Sequence, residues 1–144
     1  MNKTFIPTTY FTNYNKRRWY IIDCKDRQLG RLASNIISIL TGKLKPYYHP
    51  SVDIGDYVIL INTEYLKIDQ NIERFHVYQP GRPGKSLKKL VNIIPKQIIE
   101  NCIFNMLPNG FPKKHLVKRL KIYKNDQHPH GAQNPKLIND LKNL

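Results

Sequence analysis

The sequence has few cysteines, few acidic residues and no long apolar run, and each shortage excludes a class of protein. Its two cysteines, Cys24 and Cys102, are too few for a disulfide scaffold or a structural zinc site. No stretch approaches the ~18 apolar residues of a membrane-spanning helix, since the run Tyr57–Ile61 is followed at once by Asn62. These shortages predict a small domain of a reducing compartment.

Acidic residues are the most telling shortage. The chain has 10 Asp and Glu against 24 Lys and Arg, a formal net charge of +14. Solubility of a small domain needs a net charge of only about 2–8, so the excess predicts a polyanionic partner, most simply nucleic acid. Residues 1–72 hold 10 basic and 6 acidic residues, whereas residues 73–144 hold 14 and 4. The second half is therefore the predicted anion-binding face.

The length of 144 residues and the 40% hydrophobic content predict one domain with a real core. Residues 1–18 contain no acid and no clear hydrophobic period, so they predict an extended basic arm. A targeting peptide is the alternative, but the segment is short, contains Pro7 early and lacks an apolar secretory core. Residues 19–144 are predicted to form a single domain, with an irregular surface tail from about residue 125.

Hydrophobic spacing predicts strands that alternate with helices. Strands are predicted at 19–23, 57–61, 74–78 and 120–123, and helices at 29–41, from Pro95 to about 107, and from Pro112 to about 117. The continuous apolar run at 57–61 is typical of a strand that is buried on both faces of a parallel sheet. The alternation favours an α/β sandwich over an all-β barrel.

The Pro/Gly run at 80–86 ends in Gly-Lys-Ser, as a nucleotide-binding loop does. That loop needs a glycine where this chain has Gln79, and Pro80 and Pro83 each remove a backbone donor. We therefore interpret the run as a basic loop that touches RNA phosphates. Its predicted RNA-binding residues are Arg82, Lys85, Lys88 and Lys89.

Two further groups of cations are predicted to bind RNA. The first group brackets the first helix and consists of Arg27, Arg31, Lys43 and Lys45. The second group consists of Lys113, Lys114, Lys118, Arg119 and Lys121. Tyr47 and Tyr48 directly follow the first group, and they either stack on unpaired bases or pack against the sheet.

Histidines and carboxylates give no sign of a metal site or of catalysis. His128 and His130 flank a proline, and no cysteine lies at ligand spacing from them, so we expect them to bond to backbone or RNA. Asp53 and Asp56 flank Gly55 in a predicted turn, where aspartates bond to local N–H groups. No nucleophile accompanies a base, so we expect no enzymatic activity, no catalytic residue, no metal and no cofactor.

Eight stretches, taken in order, carry a resemblance to a known family. They are WYIID at 19–23, LGRLAS at 29–34, GKLK at 42–45 with YHP at 48–50, GDYVI at 55–59, NMLP at 105–108, LKIY at 120–123 and HPH at 128–130. Each stretch is weak alone, but the ordered set is specific. Together they resemble the L-thirteen family of ribosomal proteins, which belongs to the large subunit of bacteria and organelles.

The resemblance implies a three-layer α/β/α sandwich with a four-stranded, mainly parallel sheet. It implies a structural protein that binds large-subunit ribosomal RNA, lies beside other large-subunit proteins, and supports early subunit assembly and translation. It implies no membrane and no small-molecule substrate. A free-standing regulatory RNA-binding module is the rival interpretation.

Composition and the arm bear on the compartment. Lys, Asn, Ile and Tyr, whose codons are A/T-rich, are abundant, whereas Ala occurs only at Ala33 and Ala132. Such a bias fits the genome of an organelle or a reduced microbe. The arm at 1–18 resembles plastid-encoded members of the family. We therefore predict the plastid (chloroplast) stroma, with the bacterial cytoplasm as the alternative.

Overall fold

The computed structural model describes residues 17–67, 95–110 and 113–138. Strands and helices alternate along the chain as the sequence predicts. In chain order they are β1 (Trp19–Asp23), α1 (Leu29–Thr41), β2 (Tyr57–Ile61), α2 (Pro95–Met106), α3 (Lys113–Lys118), β3 (Leu120–Ile122) and β4 (Lys136–Leu137). Short 3-10 turns follow β2 at Thr63–Tyr65 and precede β4 at Gly131–Gln133.

The four strands form one parallel sheet in the order β3-β2-β1-β4. Trp19 lies opposite Tyr57 at the start of the central pair, and Leu120 of β3 lies opposite Val58. Because all four strands run in the same direction, the residues that precede them meet at one edge of the sheet, here the amino edge. The residues that follow them meet at the carboxyl edge. The predicted α/β fold with a parallel sheet is confirmed.

The main core lies between one face of the sheet and the helices. Alternate strand residues point into it, and all three helices contribute buried side chains to the same cluster. The cluster includes Tyr20, Ile22, Val58, Leu60, Leu120 and Ile122 from the sheet, and Leu32, Ile36, Ile99, Ile103 and Leu116 from the helices. Burying each such side chain contributes about 1.5–3 kcal/mol. Because the three described helices share this one cluster, they form one layer against the sheet.

Helix α1 places its apolar stripe on this core and ends abruptly at Gly42. Gly42 adopts the left-handed conformation, with φ 77°, and its N–H donates to the Ile39 carbonyl at 3.1 Å. Glycine adopts this conformation without the strain that a Cβ atom causes. The stop predicted from the sequence is thus confirmed, and it turns the chain toward residues 43–52.

The other face of the sheet carries aromatic and imidazole rings. The Trp19 ring stacks on Tyr57 with centroids 4.2 Å apart and planes 5° apart. The His130 ring lies 5.2 Å from Trp19. His130 belongs to the link between β3 and β4, so this link covers part of the second face.

The predicted irregular tail from about residue 125 is wrong at its far end. Lys136–Leu137 forms an edge strand beside β1, and the Ile138 N–H donates to the Ile21 carbonyl at 2.9 Å. A strand of two residues is too short to show the alternation of polar and apolar side chains that identifies a strand. Hydrophobic spacing therefore could not predict β4. The strand predicted at 74–78 lies outside the described residues, as do residues 1–16 of the predicted arm.

Candidate nucleic-acid interface

The predicted RNA-binding residues fall into three sets in the structure. Some are held in ion pairs inside the protein, some are open on the surface, and some lie outside the described residues. The last set comprises Arg82, Lys85, Lys88 and Lys89, together with the Gly-Lys-Ser end of their loop.

The Asp53 carboxylate pairs with two arginines at the amino edge of the sheet. The Arg119 guanidinium donates from Nη1 to Asp53 Oδ1 at 2.7 Å and to the Gly55 carbonyl at 3.4 Å, and its Nη2 also bonds to the same carboxylate. Arg17 Nη2 lies 3.5 Å from Asp53 Oδ2 and donates to the Asp53 carbonyl. Arg119 is only 4% exposed, so this pair lies largely out of water.

Beside Asp53 and Arg119, the Asp56 carboxylate binds a lysine side chain and a backbone N–H. Lys45 Nζ lies 2.7 Å from Asp56 Oδ1 and donates to the Ile54 carbonyl at 2.8 Å. The Arg18 backbone N–H donates to the same carboxylate oxygen at 3.0 Å. We call Arg17, Lys45, Asp53, Asp56 and Arg119 the amino-edge ion cluster.

The electrostatics of Asp53 fit this arrangement. Burial alone raises the pKa of the Asp53 carboxyl, but the hydrogen bonds and charge of Arg119, with the charge of Arg17, outweigh burial and lower the pKa below its usual value. The carboxylate is therefore ionised at neutral pH. It neutralises cations that would otherwise repel one another at the starts of β1 and β3.

The amino-edge ion cluster bears on two predictions. Arg119 and Lys45 were expected to touch RNA phosphates, but both are bonded to buried or half-buried carboxylates. Freeing either cation for RNA would leave its carboxylate unpaired, which is costly at a buried site. Both cations therefore stabilise the fold, and a contact of either with an RNA phosphate stays a prediction.

Helix α3 carries exposed lysines that have no carboxylate partner among the described residues. Lys114 and Lys118 are exposed, and within residues 17–67, 95–110 and 113–138 no carboxylate lies within 4.0 Å of either, or of Lys121. Lys113 Nζ lies 4.2 Å from the centre of the Phe104 ring and bonds to Asn109 Oδ1 at 3.0 Å. Lys114 and Lys118 could thus contact phosphates without first breaking an ion pair.

A second open set lines a groove at the carboxyl edge. Arg27 and Arg31, four residues apart, share this groove of about 600 Å³ with Gln28, Asn35 and Lys67. Lys67 pairs with Asp26 at 3.2 Å, but both side chains are more than half exposed, so this pair is weak. No described carboxylate lies within 4.0 Å of either arginine.

Sequence reasoning missed Lys67. Its neighbours in the chain give no signal, but Gln28 and Lys67 form a parallel β-bridge between the segments that follow β1 and β2. The parallel order of these strands brings the two segments to one edge of the sheet. Knowing that order would have placed Lys67 beside Arg27.

The loop after α1 bears on the alternative left open for the tyrosines. Tyr47 is 47% exposed and Tyr48 is 37% exposed, so neither ring is buried in the core. Lys43 is also exposed and has no carboxylate within 4.0 Å among the described residues. The aromatic and cationic interleaving seen in the sequence is therefore present on the surface.

His128 and His130 are brought together, but by contacts within the protein. The Tyr123 hydroxyl and His130 Nε2 are 2.8 Å apart, and the His130 N–H donates to His128 Nδ1 at 3.2 Å. Burial, helped by the charges of Lys121 and His128, lowers the pKa of His130. The neutral ring thus helps hold the link between β3 and β4, while an RNA contact of either histidine stays a prediction.

Cysteine and histidine side chains supply no metal site in the part of the chain that the structure describes. Cys24 and Cys102 are both buried free thiols, and burial raises the pKa of Cys24 to about 12. A thiol with so high a pKa is a poor nucleophile and a poor ligand. Within the same described ranges, no helix is long and apolar enough to cross a membrane.

Fold and surface together define a class. A parallel α/β domain with a net charge of +14 and cations free of carboxylate partners has the features of the polyanion-binding class of proteins. The family model described as Ribosomal protein L13 matches residues 17–129. The chain belongs to this family, as its ordered motifs predicted.

Relatives match over nearly the whole chain. The large ribosomal subunit protein uL13c of Trieres chinensis is 50% identical over 135 residues, which cover 94% of this chain and 95% of that protein. The large ribosomal subunit protein uL13 of Prochlorococcus marinus (strain NATL1A) is 40% identical over 147 residues, covering 96% and 94%. That of Synechococcus sp. (strain RCC307) is 40% identical over 141 residues, covering 94% and 92%.

Proposed function

We propose that this chain is a structural constituent of the large ribosomal subunit that binds large-subunit ribosomal RNA and contacts neighbouring ribosomal proteins. The observation that carries the proposal is its membership of a family whose near full-length relatives are named large-subunit proteins. The role is structural rather than catalytic, since the family consists of ribosomal proteins.

The open cations supply the mechanism. Lys114 and Lys118 on α3, and Arg27 and Arg31 at the carboxyl-edge groove, neutralise phosphates that otherwise repel one another when RNA helices pack together. Counterions condensed on the RNA are released in the process, which favours binding. A-form RNA offers side chains little access to its bases, so recognition rests on shape and backbone. Arg82, Lys85, Lys88 and Lys89 are proposed to bind RNA phosphates as well.

Salt dependence tests the mechanism. Binding of the full chain to a large-subunit ribosomal RNA transcript is measured between 50 and 200 mM salt. Six or more phosphate contacts predict a loss of about 10³-fold or more in affinity over this range. A loss of less than tenfold would contradict phosphate-driven binding.

Sedimentation tests the assignment to the subunit. In a sucrose gradient of cell extract, we expect the protein in the large-subunit fraction, and after a short pulse of label also in lighter precursor particles if it joins early. A pool found mainly in the soluble fractions would support the free-standing regulatory RNA-binding module instead. Labelled protein seen only in complete subunits would remove the early assembly role.

The plastid stroma is the compartment we propose. The scarcity of alanine beside many Lys, Asn and Ile residues and the 50% identity to uL13c of Trieres chinensis support it. Fractionation of source cells into plastids and cytosol tests the compartment. Recovery in the cytosol of a cell without plastids would establish the bacterial alternative.

A further inference from the structure

The loop that follows α1 exposes more aromatic and apolar surface than the fold explains. Tyr47, Tyr48 and Leu44 are 47%, 37% and 45% exposed. Tyrosine normally buries much of its ring in a core or an interface, where the ring contributes strongly. Neighbouring exposed rings therefore indicate a surface that is covered by a partner.

The same loop is held in one shape by its own hydrogen bonds. The Lys45 N–H donates to the Gly42 carbonyl and the Tyr48 N–H donates to the Lys45 carbonyl, both at 3.0 Å. The Lys45 side chain is tied to Asp56 and Ile54 beneath the loop. The backbone that carries the two rings is thus ordered before any partner arrives, which lowers the entropic cost of binding.

The charge around the rings identifies the partner. Lys43 and Arg18 are exposed. The Arg18 side chain is hydrogen-bonded to Tyr20, and its charge interacts more weakly with Asp56 and Tyr47. Cations beside bare aromatic rings match a ligand that has both phosphates and flat, unstacked bases. Bases inside a duplex are already stacked on one another, so the matching ligand is unpaired RNA.

We infer that Tyr47 and Tyr48 form a stacking platform for unpaired RNA bases, with the exposed Lys43 placed to hold an adjacent phosphate. The inference rests on the proposed function in RNA binding and adds a second mode to it. The unpaired cations on α3 and at the carboxyl edge bind the phosphate backbone of the RNA, whereas this platform selects single-stranded loops or bulges.

The test compares two RNA probes and two double variants of the full chain. One probe is a hairpin whose unpaired loop contains 2-aminopurine, and the other is a blunt duplex of the same length. Tyr47→Leu with Tyr48→Leu removes the aromatic rings, whereas Tyr47→Phe with Tyr48→Phe keeps them. All four side-chain changes lie on the surface, so the thermal unfolding midpoint is expected to stay unchanged.

Stacking on an aromatic side chain contributes about 1–3 kcal/mol per base, or roughly 5–150-fold in affinity. We expect the leucine variant to bind the hairpin at least about tenfold more weakly and to lose the quenching of 2-aminopurine fluorescence. The phenylalanine variant is expected to bind both probes like the wild type. Duplex affinity is expected to be the same for all three proteins.

Each contrary result has a separate meaning. Failure of the wild type to bind either probe or ribosomal RNA would overturn the proposed function itself. RNA binding that the leucine change leaves intact would overturn only the platform, and a loss of that variant from large-subunit particles would then identify a protein neighbour as the occupant. Equal weakening by leucine and phenylalanine would show that the hydroxyls act by hydrogen bonding and that stacking is wrong.

Discussion

The amino-edge ion cluster and helix α3 use the same kinds of cation in opposite ways. In the cluster, Arg119 is 4% exposed and bonded to Asp53. On α3, Lys118 is exposed and has no carboxylate within 4.0 Å in the described parts of the chain. The two residues are adjacent in sequence. Partner and burial, rather than residue type or local charge density, therefore decide whether a cation stabilises the fold or is free for RNA.

The comparison predicts separable effects. Changes in the amino-edge ion cluster should lower the free energy of unfolding and leave the RNA affinity of the folded protein intact. Changes on α3 should do the reverse. The largest effect is expected where the turn that carries Asp53 and Asp56 approaches α1.

Gly55→Ala should give the greatest loss of stability. A Cβ atom at this position would lie 1.6 Å from the Leu40 carbonyl oxygen, so the backbone must move and take both aspartates with it. Overpacking usually costs about 1–3 kcal/mol and occasionally more, and a backbone obstacle places this change at about 3 kcal/mol or above. Urea unfolding followed by Trp19 fluorescence measures it.

Gly131→Ala is the matched control for that change. A Cβ atom at Gly131 would meet no heavy atom within 4 Å, so its effect should stay within about 0.5 kcal/mol, as for most surface substitutions. Equal losses for the two variants would show that the contact with Leu40 is not what makes Gly55 necessary.

Arg119→Met should have the next largest effect. It leaves the Asp53 carboxylate half-buried, with Arg17 and the backbone N–H of Gly55 as its remaining partners. Breaking a buried pair costs about 3–5 kcal/mol, and the remaining arginine places the expected loss near 3 kcal/mol. Adding Asp53→Asn should recover part of that loss, because the unpaired charge is removed. A double variant less stable than the single one would contradict this account of the pair.

Much of the fold could be predicted from local pattern. The apolar run at 57–61 predicts the bounds of β2, and Gly42 predicts the end of α1. Both predictions are possible because hydrophobic periodicity and helix-ending glycines act over only a few residues. The strand at 136–137 could not be found in this way, since it exists only through pairing with β1.

The candidate site could be predicted only in part, for the same reason. Lys43 and Lys45 look alike in sequence, yet only Lys45 is bonded to a carboxylate, which lies eleven residues away. Arg119 and Asp53 are 66 positions apart, so no local pattern records their contact. Charge density identified the class of ligand, whereas the tertiary fold selected which cations are free.

Lys118→Gln should have a moderate effect, and on binding alone. Removing one phosphate contact lowers the slope of log affinity against log salt by about 0.9 on duplex and 0.7 on single strands. The free energy of unfolding should change by no more than about 0.5 kcal/mol. Lys96→Gln removes the same charge from a lysine that lies 3.8 Å from Glu100, and its salt slope should remain that of the wild type. Equal slopes for both variants would show that α3 is not part of the interface.

The smallest effect is expected from pH, through His130. Its pKa is lowered in the folded protein from 6.5, mainly by burial and then by the charges of Lys121 and His128. Well above pH 6.5 the ring is neutral in both states, so its contribution to stability is complete. As the pH falls below 6.5, the unfolded chain takes up the proton first, and stability declines until the folded pKa is passed. Unfolding midpoints at pH 7.5 and 5.5 should therefore differ more for the wild type than for His130→Asn. Equal differences would show that burial and the neighbouring charges do not lower the pKa of His130 in the folded protein.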